Sequence, residues 1–397
     1  MTDNSPAPSS SRSTQAPSRF GALDAQRGLI IILMAVDHAS MFVARAHSVE
    51  FWGTPLPSYP DAFWFLTRWL THMCAPGFFF LMGMGMVMFA GSRRRAGWSE
   101  GRIFGFFAAR GLLLIALQLL VENPAWMAGS LFAAPGAMVM RGGPIPGGGT
   151  GGAVYLGVLF ALGSAMIFWA FMIRLPSWLI GVISLAAVAL TEIVVPGPGE
   201  VNTLYPPLLR VLLIPGHTDP VVVFYPIIPW LAPCGLGLIF GRAVLRDTPT
   251  ARRWALWTGI VLAIIFLLLR IHGGFGNLNE VPPGWMGFLN VVKYPPSLSF
   301  LALALAINLL LMASWRKIEP FFQNRRHPLL VFGRAPLFFY LLHLWLYALL
   351  GVFFPRGNGL PALYAIWLLG LAVLYPLCLL YVEFKAKKPV SSLWRFF

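Results

Sequence analysis

A chain of 397 residues that is 58% hydrophobic and only 11% charged, with a mean hydropathy of +0.73, excludes a soluble domain of ordinary composition. Apolar runs recur along nearly its whole length, separated by short stretches holding Pro, Gly and Arg, which is the pattern of a polytopic helical membrane protein. The net charge of +15 does not point to nucleic acid, because most of the 29 Lys and Arg fall in alternate connections, as the positive-inside rule requires.

The predicted fold is all-α, with ten spans near residues 27–44, 65–90, 103–122, 152–173, 177–195, 222–241, 254–270, 297–313, 328–354 and 360–383, and both termini cytoplasmic. Residues 1–19, rich in Ser, Pro and Thr and without an apolar h-region, read as a disordered cytoplasmic tail. One integral domain covers 20–384, and 385–397 form a basic cytoplasmic tail.

The first span opens LDAQRGLIIILMAVDHAS, residues 23–40, and carries Asp37 and His38 inside its apolar run. A charge at the bilayer centre costs about 2.5 to 3.5 kcal/mol on insertion scales, so such a pair is expected to serve function or to bond a neighbouring helix. At about 100° per residue, Asp24, Arg27, Ile31, Met34, Ala35 and His38 share one face, while Asp37 points away. That face runs from a cation at one surface to an imidazole roughly 16 Å along the axis. Asp37 cannot serve His38 from the adjacent position, and is expected to pair with an Arg or His on another span.

In the second span Arg68 and His72 lie four apart on one face near the outer surface. Pro76 removes the hydrogen bond that would use the carbonyl of His72, which predicts a kink there. MGMGM, residues 82–86, reads as a close helix crossing, and Arg93, Arg94 and Arg95 follow. Two further cations, Arg110 and Arg334, fall within predicted spans.

The segments predicted to lie outside, 45–64, 123–151, 196–221 and 271–296, are long and hold Pro, Gly, Trp and Tyr, which points to function on that face. GGPIPGGGTGG within the second of them reads as a surface loop or a lid. YPIIPWLAPCGLGLIFG, residues 225–241, carries Pro226, Pro229 and Pro233 and is expected to enter the membrane as an irregular or broken helix. In the ninth span Pro336, Tyr340, His343 and Tyr347 line one face, which sets an imidazole between two phenols.

A neutral imidazole can take a proton from an amine or hydroxyl nucleophile near neutral pH. No GxSxG, HExxH, Walker or Rossmann motif is present, against hydrolase, zinc-peptidase and NTPase chemistry, and no metal site is predicted. Cys74, Cys234 and Cys378 are odd in number and widely spaced, and read as packing residues. Two rival readings use the same polar residues. They are a proton-coupled secondary transporter with a buried relay, and a haem carrier, which the absence of paired histidine spacing disfavours.

Taken in order, LDAQRGLIIILMAVDH, THMCAPGFFFLMGMG, VFYPIIPWLAPCGLGLIFG, KYPPSLSFL and HPLLVFGRAPLFFYLLHLWLY resemble bacterial members of the heparan-α-glucosaminide N-acetyltransferase catalytic-domain family over about residues 19–380. The LDxxRG opening with a later histidine is also similar to the wider class of membrane acyltransferases. The resemblance implies transfer of an acetyl group from cytoplasmic acetyl-CoA to a sugar or glycan acceptor on the periplasmic side of a bacterial inner membrane.

On that reading Arg27, beside Asp24 and with Arg93 and Arg94 near, holds the CoA phosphates. His38 is the expected base, His72 the second choice, and Asp37 and His343 complete the catalytic candidates. Arg68, Tyr225, Trp230, Lys293, Tyr294 and Tyr340 are the candidates for the acceptor. The relatives' catalytic histidine lies in the first luminal loop, where this chain has His47 without the surrounding motif. The expected partners are the bilayer, the acyl-CoA donor and an amino-sugar or glycan acceptor, with a homodimer left open.

Overall fold

The computed structural model describes residues 21–137, 139–141, 145–147, 154–318, 324–389 and 392–395. The tail expected over 1–19, most of GGPIPGGGTGG and part of the C-terminal tail lie outside the described residues. Among the described residues nine helices are long and apolar enough to cross a membrane, and a tenth apolar helix, Val158–Met172, is shorter. Together they follow the ten predicted spans. The protein is an all-α, multi-pass membrane protein, with short strands confined to its connections.

Helix α1, Gly21–Ala39, starts six residues before the predicted span, so Asp24 and Arg27 belong to its first turns; it ends in a π-helical turn, Ser40–Ala44. Arg45 follows in the left-handed conformation, and its guanidinium is held by the carbonyls of Gly129, Gly351 and Phe354. The second span is broken as Pro76 predicts. α2, Ala62–Trp69, is capped by the Asp61 carboxylate, and a 3-10 turn, Leu70–Met73, precedes α3, Cys74–Arg95. The Met73 carbonyl is taken by Asn308 Nδ2 at 2.9 Å.

α4, Glu100–Leu117, begins at the Ser99 cap and passes through a π-helical turn, Gln118–Glu122, into α5, Asn123–Leu131. α6, Val158–Met172, returns beside α4 at close range, since a Cβ on Gly111 or Gly163 would meet the other's carbonyl. After α7, Ser177–Val194, and the short α8, Pro207–Leu212, comes α9, Ile227–Arg246. This helix is continuous, not broken as expected. Pro226 precedes it and Pro229 lies in its first turn, where N–H groups have no intrahelical acceptor, so only Pro233 interrupts the ladder.

α3 and α9 cross tightly. A Cβ on Gly83 would overlap the Cys234 carbonyl, and one on Gly237 the Phe80 carbonyl, which is the close approach that MGMGM promises. α10, Thr248–His272, α11, Gly284–Leu289, and α12, Leu298–Ile318, follow. The predicted ninth span is two helices, α13, Pro328–Arg334, and α14, Pro336–Leu350. The break falls at Ala335, because a residue before proline is driven out of the helical region. α15, Leu360–Ala386, closes the bundle.

Two glycine contacts seat α13 on α1, for a Cβ on Gly28 would strike Leu329 backbone and one on Gly333 the Asp24 carbonyl. Gln26 bonds across to Asn308 at 3.0 and 3.1 Å. Interhelical bonds of this kind contribute about 0.6 kcal/mol each in membranes, where apolar burial alone does not hold helices together. β1, Ala46–Ser48, pairs in parallel with β2, Val139–Arg141. β3, Val154–Leu156, β4, Gly216–Thr218, and β5, Val221–Val223, form a second small sheet in the order β3-β5-β4. Cys74, Cys234 and Cys378 are free and buried.

Candidate active site

A cavity of about 680 Å³ opens among α1, α3, α4, α6, α13 and α14, with single residues from α9 and α15. Arg27, Arg95, Arg110, Arg334 and Lys385 line it, with Asp24 as the accompanying acid. Its remaining wall is apolar and rich in methionine, including Met82, Met86, Met88 and Met166, and Tyr340 lines it as well. Arg27 donates weakly to Asp24 at 3.4 Å and to the Leu81 carbonyl at 3.3 Å, and Arg334 lies 3.5 Å from the other Asp24 oxygen. One acid therefore lies among five cations, and the Arg110 Nε is buried without a hydrogen-bond partner. Cations around an apolar hollow suit a ligand with phosphates at one end and a neutral arm at the other.

Beyond Tyr340 lies a pair of imidazoles. His38 Nδ1 is 2.7 Å from His343 Nε2, and His343 Nδ1 is 3.1 Å from the Phe339 carbonyl. A carbonyl only accepts, so with neutral rings the His343 proton is on Nδ1 and its Nε2 must accept. His38 then donates from Nδ1 and keeps its Nε2 lone pair for another partner. Trp126 and Tyr340 stand edge-on to the His38 ring at 5.1 and 6.0 Å. His343 is fully buried, whereas His38 is partly exposed. The histidine pairing that no single helix offers is made across two helices, with an N–N contact too short to admit a metal ion between the rings.

At the far end of α1 the charges are packed solid. Arg68 Nη1 meets both Asp37 oxygens at 2.6 and 2.7 Å, and its Nε and Nη2 take Glu50 in a fork at 2.9 and 2.6 Å. Asp37 thus finds the cation on another span that helical geometry demanded. His47 lies 3.9 Å from the same Asp37 carboxylate, and His72 Nε2 lies 3.8 Å from Glu50. His72 is buried edge-on against Phe300, with Nδ1 at the Trp69 carbonyl.

Two of these groups lie in the connection after the first span. Burial alone would raise the Glu50 carboxyl, and the Arg68 guanidinium outweighs it, holding the group well below the usual carboxylate range. Burial pushes the His47 imidazole down to about 4, against the opposing pull of Asp37.

The outer-end candidates gather in one aromatic box. The Tyr225 ring is 4.8 Å from Trp230 and 5.5 Å from Tyr294, and Lys293 Nζ lies 5.1 Å from the Tyr294 ring. All four are buried, and the backbone N–H groups of Lys293 and Tyr294 both bond the Glu50 carbonyl at 3.0 Å.

Arg93 and Arg94 do not join the cavity. Arg93 lies over the Phe89 and Trp98 rings, and Arg94 forks onto Glu100 at 2.6 and 2.9 Å. Only Arg95 of the three faces inward, because successive helix residues turn by about 100°. Arg110 and Arg334, cations inside apolar runs, carried the signal for the rest of the basic lining. Glu50 lies in a connection without periodicity and gave none; Glu122, buried at the end of α4's π-helical turn, was legible only as an acid closing a span.

No curated protein matches the chain. The family model described as heparan-alpha-glucosaminide N-acetyltransferase, catalytic, matches residues 19–273, which takes in α1 through α10 and leaves α11 to α15, with Arg334, Tyr340 and His343, beyond its end. The match spans more than half of the chain and the bundle around the cavity is the membrane architecture such an enzyme needs, so the chain belongs to the heparan-alpha-glucosaminide N-acetyltransferase catalytic-domain family and is a transmembrane acetyltransferase.

Proposed function

We propose that the protein takes acetyl-CoA from the cytoplasm and delivers the acetyl group to an amino-sugar acceptor on the periplasmic side of the inner membrane. The observation that carries the reading is the basic cavity whose lining reaches Tyr340, beside His38. Arg27, Arg95, Arg110, Arg334 and Lys385 hold the phosphates, and the apolar wall holds the pantetheine arm. From Arg27 to His38 the helix rises roughly 16 Å, within reach of an extended arm, so the thioester arrives at the imidazole.

There His38 Nε2 takes a proton from the attacking nitrogen as the N–C bond forms. The C–S bond then breaks, and the thiolate recovers that proton from His38. His343 holds His38 in the tautomer this needs and acts as a positioning residue. The acceptor approaches from the side of Tyr225, Trp230, Lys293 and Tyr294, whose rings and cation suit a sugar. Asp37, Arg68 and His72 support this wall and leave the proton transfers to His38.

Equilibrium binding of labelled acetyl-CoA to the protein in nanodiscs tests the donor half. Saturable binding, weakened about tenfold or more by Arg27→Ala, is expected. His38→Ala should keep that binding and lose CoA release by about 10²-fold to 10⁴-fold. Absence of donor binding by the wild type would return the polar interior to the proton-relay reading, and full turnover by His38→Ala would remove the base.

A further inference from the structure

We propose that Glu122 is a second catalytic residue, a carboxylate that receives the acceptor as a protonated amine and takes its first proton. The proposal rests on the amine-acceptor reading above. Glu122 is 1% exposed, in a π-helical turn of the kind that recurs at functional sites. Its Oε1 accepts from Trp126 Nε1 at 3.2 Å, and its Oε2 is buried with no hydrogen-bond partner. Among the described residues no Lys or Arg forms an ion pair with it.

A buried acid without a cation is costly and rare, and contrasts with Asp37 and Glu50, which share Arg68. The missing partner is therefore sought in a ligand. Two observations place Glu122 at the reaction centre. Trp126, which donates to Glu122, also packs edge-on against His38; Tyr340, which lies beside the same carboxylate, lines the donor cavity and flanks His38. Carboxylate and imidazole thus share two aromatic neighbours, one of which, Tyr340, lines the donor cavity. A compact ammonium with three donors matches an Oε2 that accepts no hydrogen bond.

The protons balance. An amino sugar reaches the site as R–NH₃⁺ and must lose two protons to become an amide. Glu122 takes the first and leaves a neutral nucleophile. His38 takes the second as the N–C bond forms and returns it to the departing thiolate. The proton left on Glu122 is the one released to solvent per turnover.

The test uses the full chain in nanodiscs, acetyl-CoA and methyl α-glucosaminide as the amine probe, with kcat/KM measured across the pH range spanning the amine's own pKa. Glu122→Gln, which keeps the shape, should bind acetyl-CoA as the wild type does and lose about 100-fold or more of kcat/KM on the acid side. The deficit should shrink as pH rises and solvent supplies the free amine. Glu122→Asp should recover part of the activity. An unaffected Glu122→Gln, or a loss equal at every pH, would overturn the role of Glu122 alone. A wild type that binds donor yet leaves the glucosaminide untouched would overturn the amine reading and this proposal with it.

Discussion

The two ends of the first helix hold similar charges in opposite arrangements. At its start five cations and Asp24 line a 680 Å³ hollow, Arg27 and Arg334 standing beside the acid. At its end Arg68 is taken up on every side by Asp37 and Glu50, and the space beside them is only about 20 Å³. Cations that line a void leave room for an anionic ligand. A hydrogen-bonded set in a packed interior is complete without one. An intramembrane charge therefore does not by itself declare a site; the balance of its partners and the room beside it do.

The largest effect that could break this comparison lies at the packed end. Removing Arg68 leaves two buried carboxylates without the guanidinium that bonds both, and such losses cost about 3 to 5 kcal/mol. Arg68→Ala should lower the midpoint of thermal unfolding steeply and reduce the yield of folded protein. The triple variant Arg68→Met, Asp37→Asn, Glu50→Gln removes the charges together and should recover most of that loss, since a buried ion set is often replaceable by neutral groups. An Arg68→Ala protein as stable as the wild type would show that the knot is not structural.

At the hollow end the expected signature is the reverse, lost affinity with stability kept. Arg110→Ala removes a cation whose Nε has no protein partner, so donor binding should weaken by about 10-fold to 100-fold, in line with a charged hydrogen bond of roughly 1.5 to 3 kcal/mol. Arg94→Ala is the control, for its guanidinium is exposed and committed to Glu100. It should change acetyl-CoA affinity less than about twofold, as surface pairs contribute little. If Arg94→Ala were the more damaging of the two, the phosphates would bind outside the cavity.

Much of the fold was legible because about 20 apolar residues are needed to span a bilayer and ten such runs recur. The departures come from proline: at Pro336 it divides one predicted helix into two, while at Pro229 a first-turn position made it harmless. The lining of the cavity was legible where one helix suffices, as for Asp24 and Arg27 on one face of α1. Face arithmetic also held the answer for the arginines, since Gly85, Met88, Ser92 and Arg95 form one stripe at spacings of three and four. What could not be read was partnership across the bundle. His38 and His343 are 305 positions apart, and Glu50 and Arg68 meet only because a connection folds back over the end of the first helix. Helical periodicity fixes which way a residue points, not what it meets there.

A further effect, on stability, follows from pH at the packed end. His47, facing Asp37, Arg68, Lys293 and Glu50, has its imidazole depressed from 6.5 to about 4 in the folded state. Between those values the unfolded chain binds a proton that the folded one refuses, so stability falls as pH drops below 6.5, and the loss is complete near 4. Glu50, held below its ordinary 4.5, adds a second loss of the same sign, because its favourable pairing with Arg68 is present above that value and disappears as the carboxylate protonates. From pH 6.5 to 5 the cost should be about 1 to 2 kcal/mol, because each tenfold difference in proton affinity between fold and unfolded chain corresponds to about 1.36 kcal/mol. His47→Gln should flatten this upper limb of the unfolding profile and leave the steeper fall below 4.5, which belongs to Glu50. A wild-type profile that is level from pH 7 to 5 would mean that His47 takes up its proton as readily in the fold as out of it, and that the far end of the first helix retains a site able to accept charge.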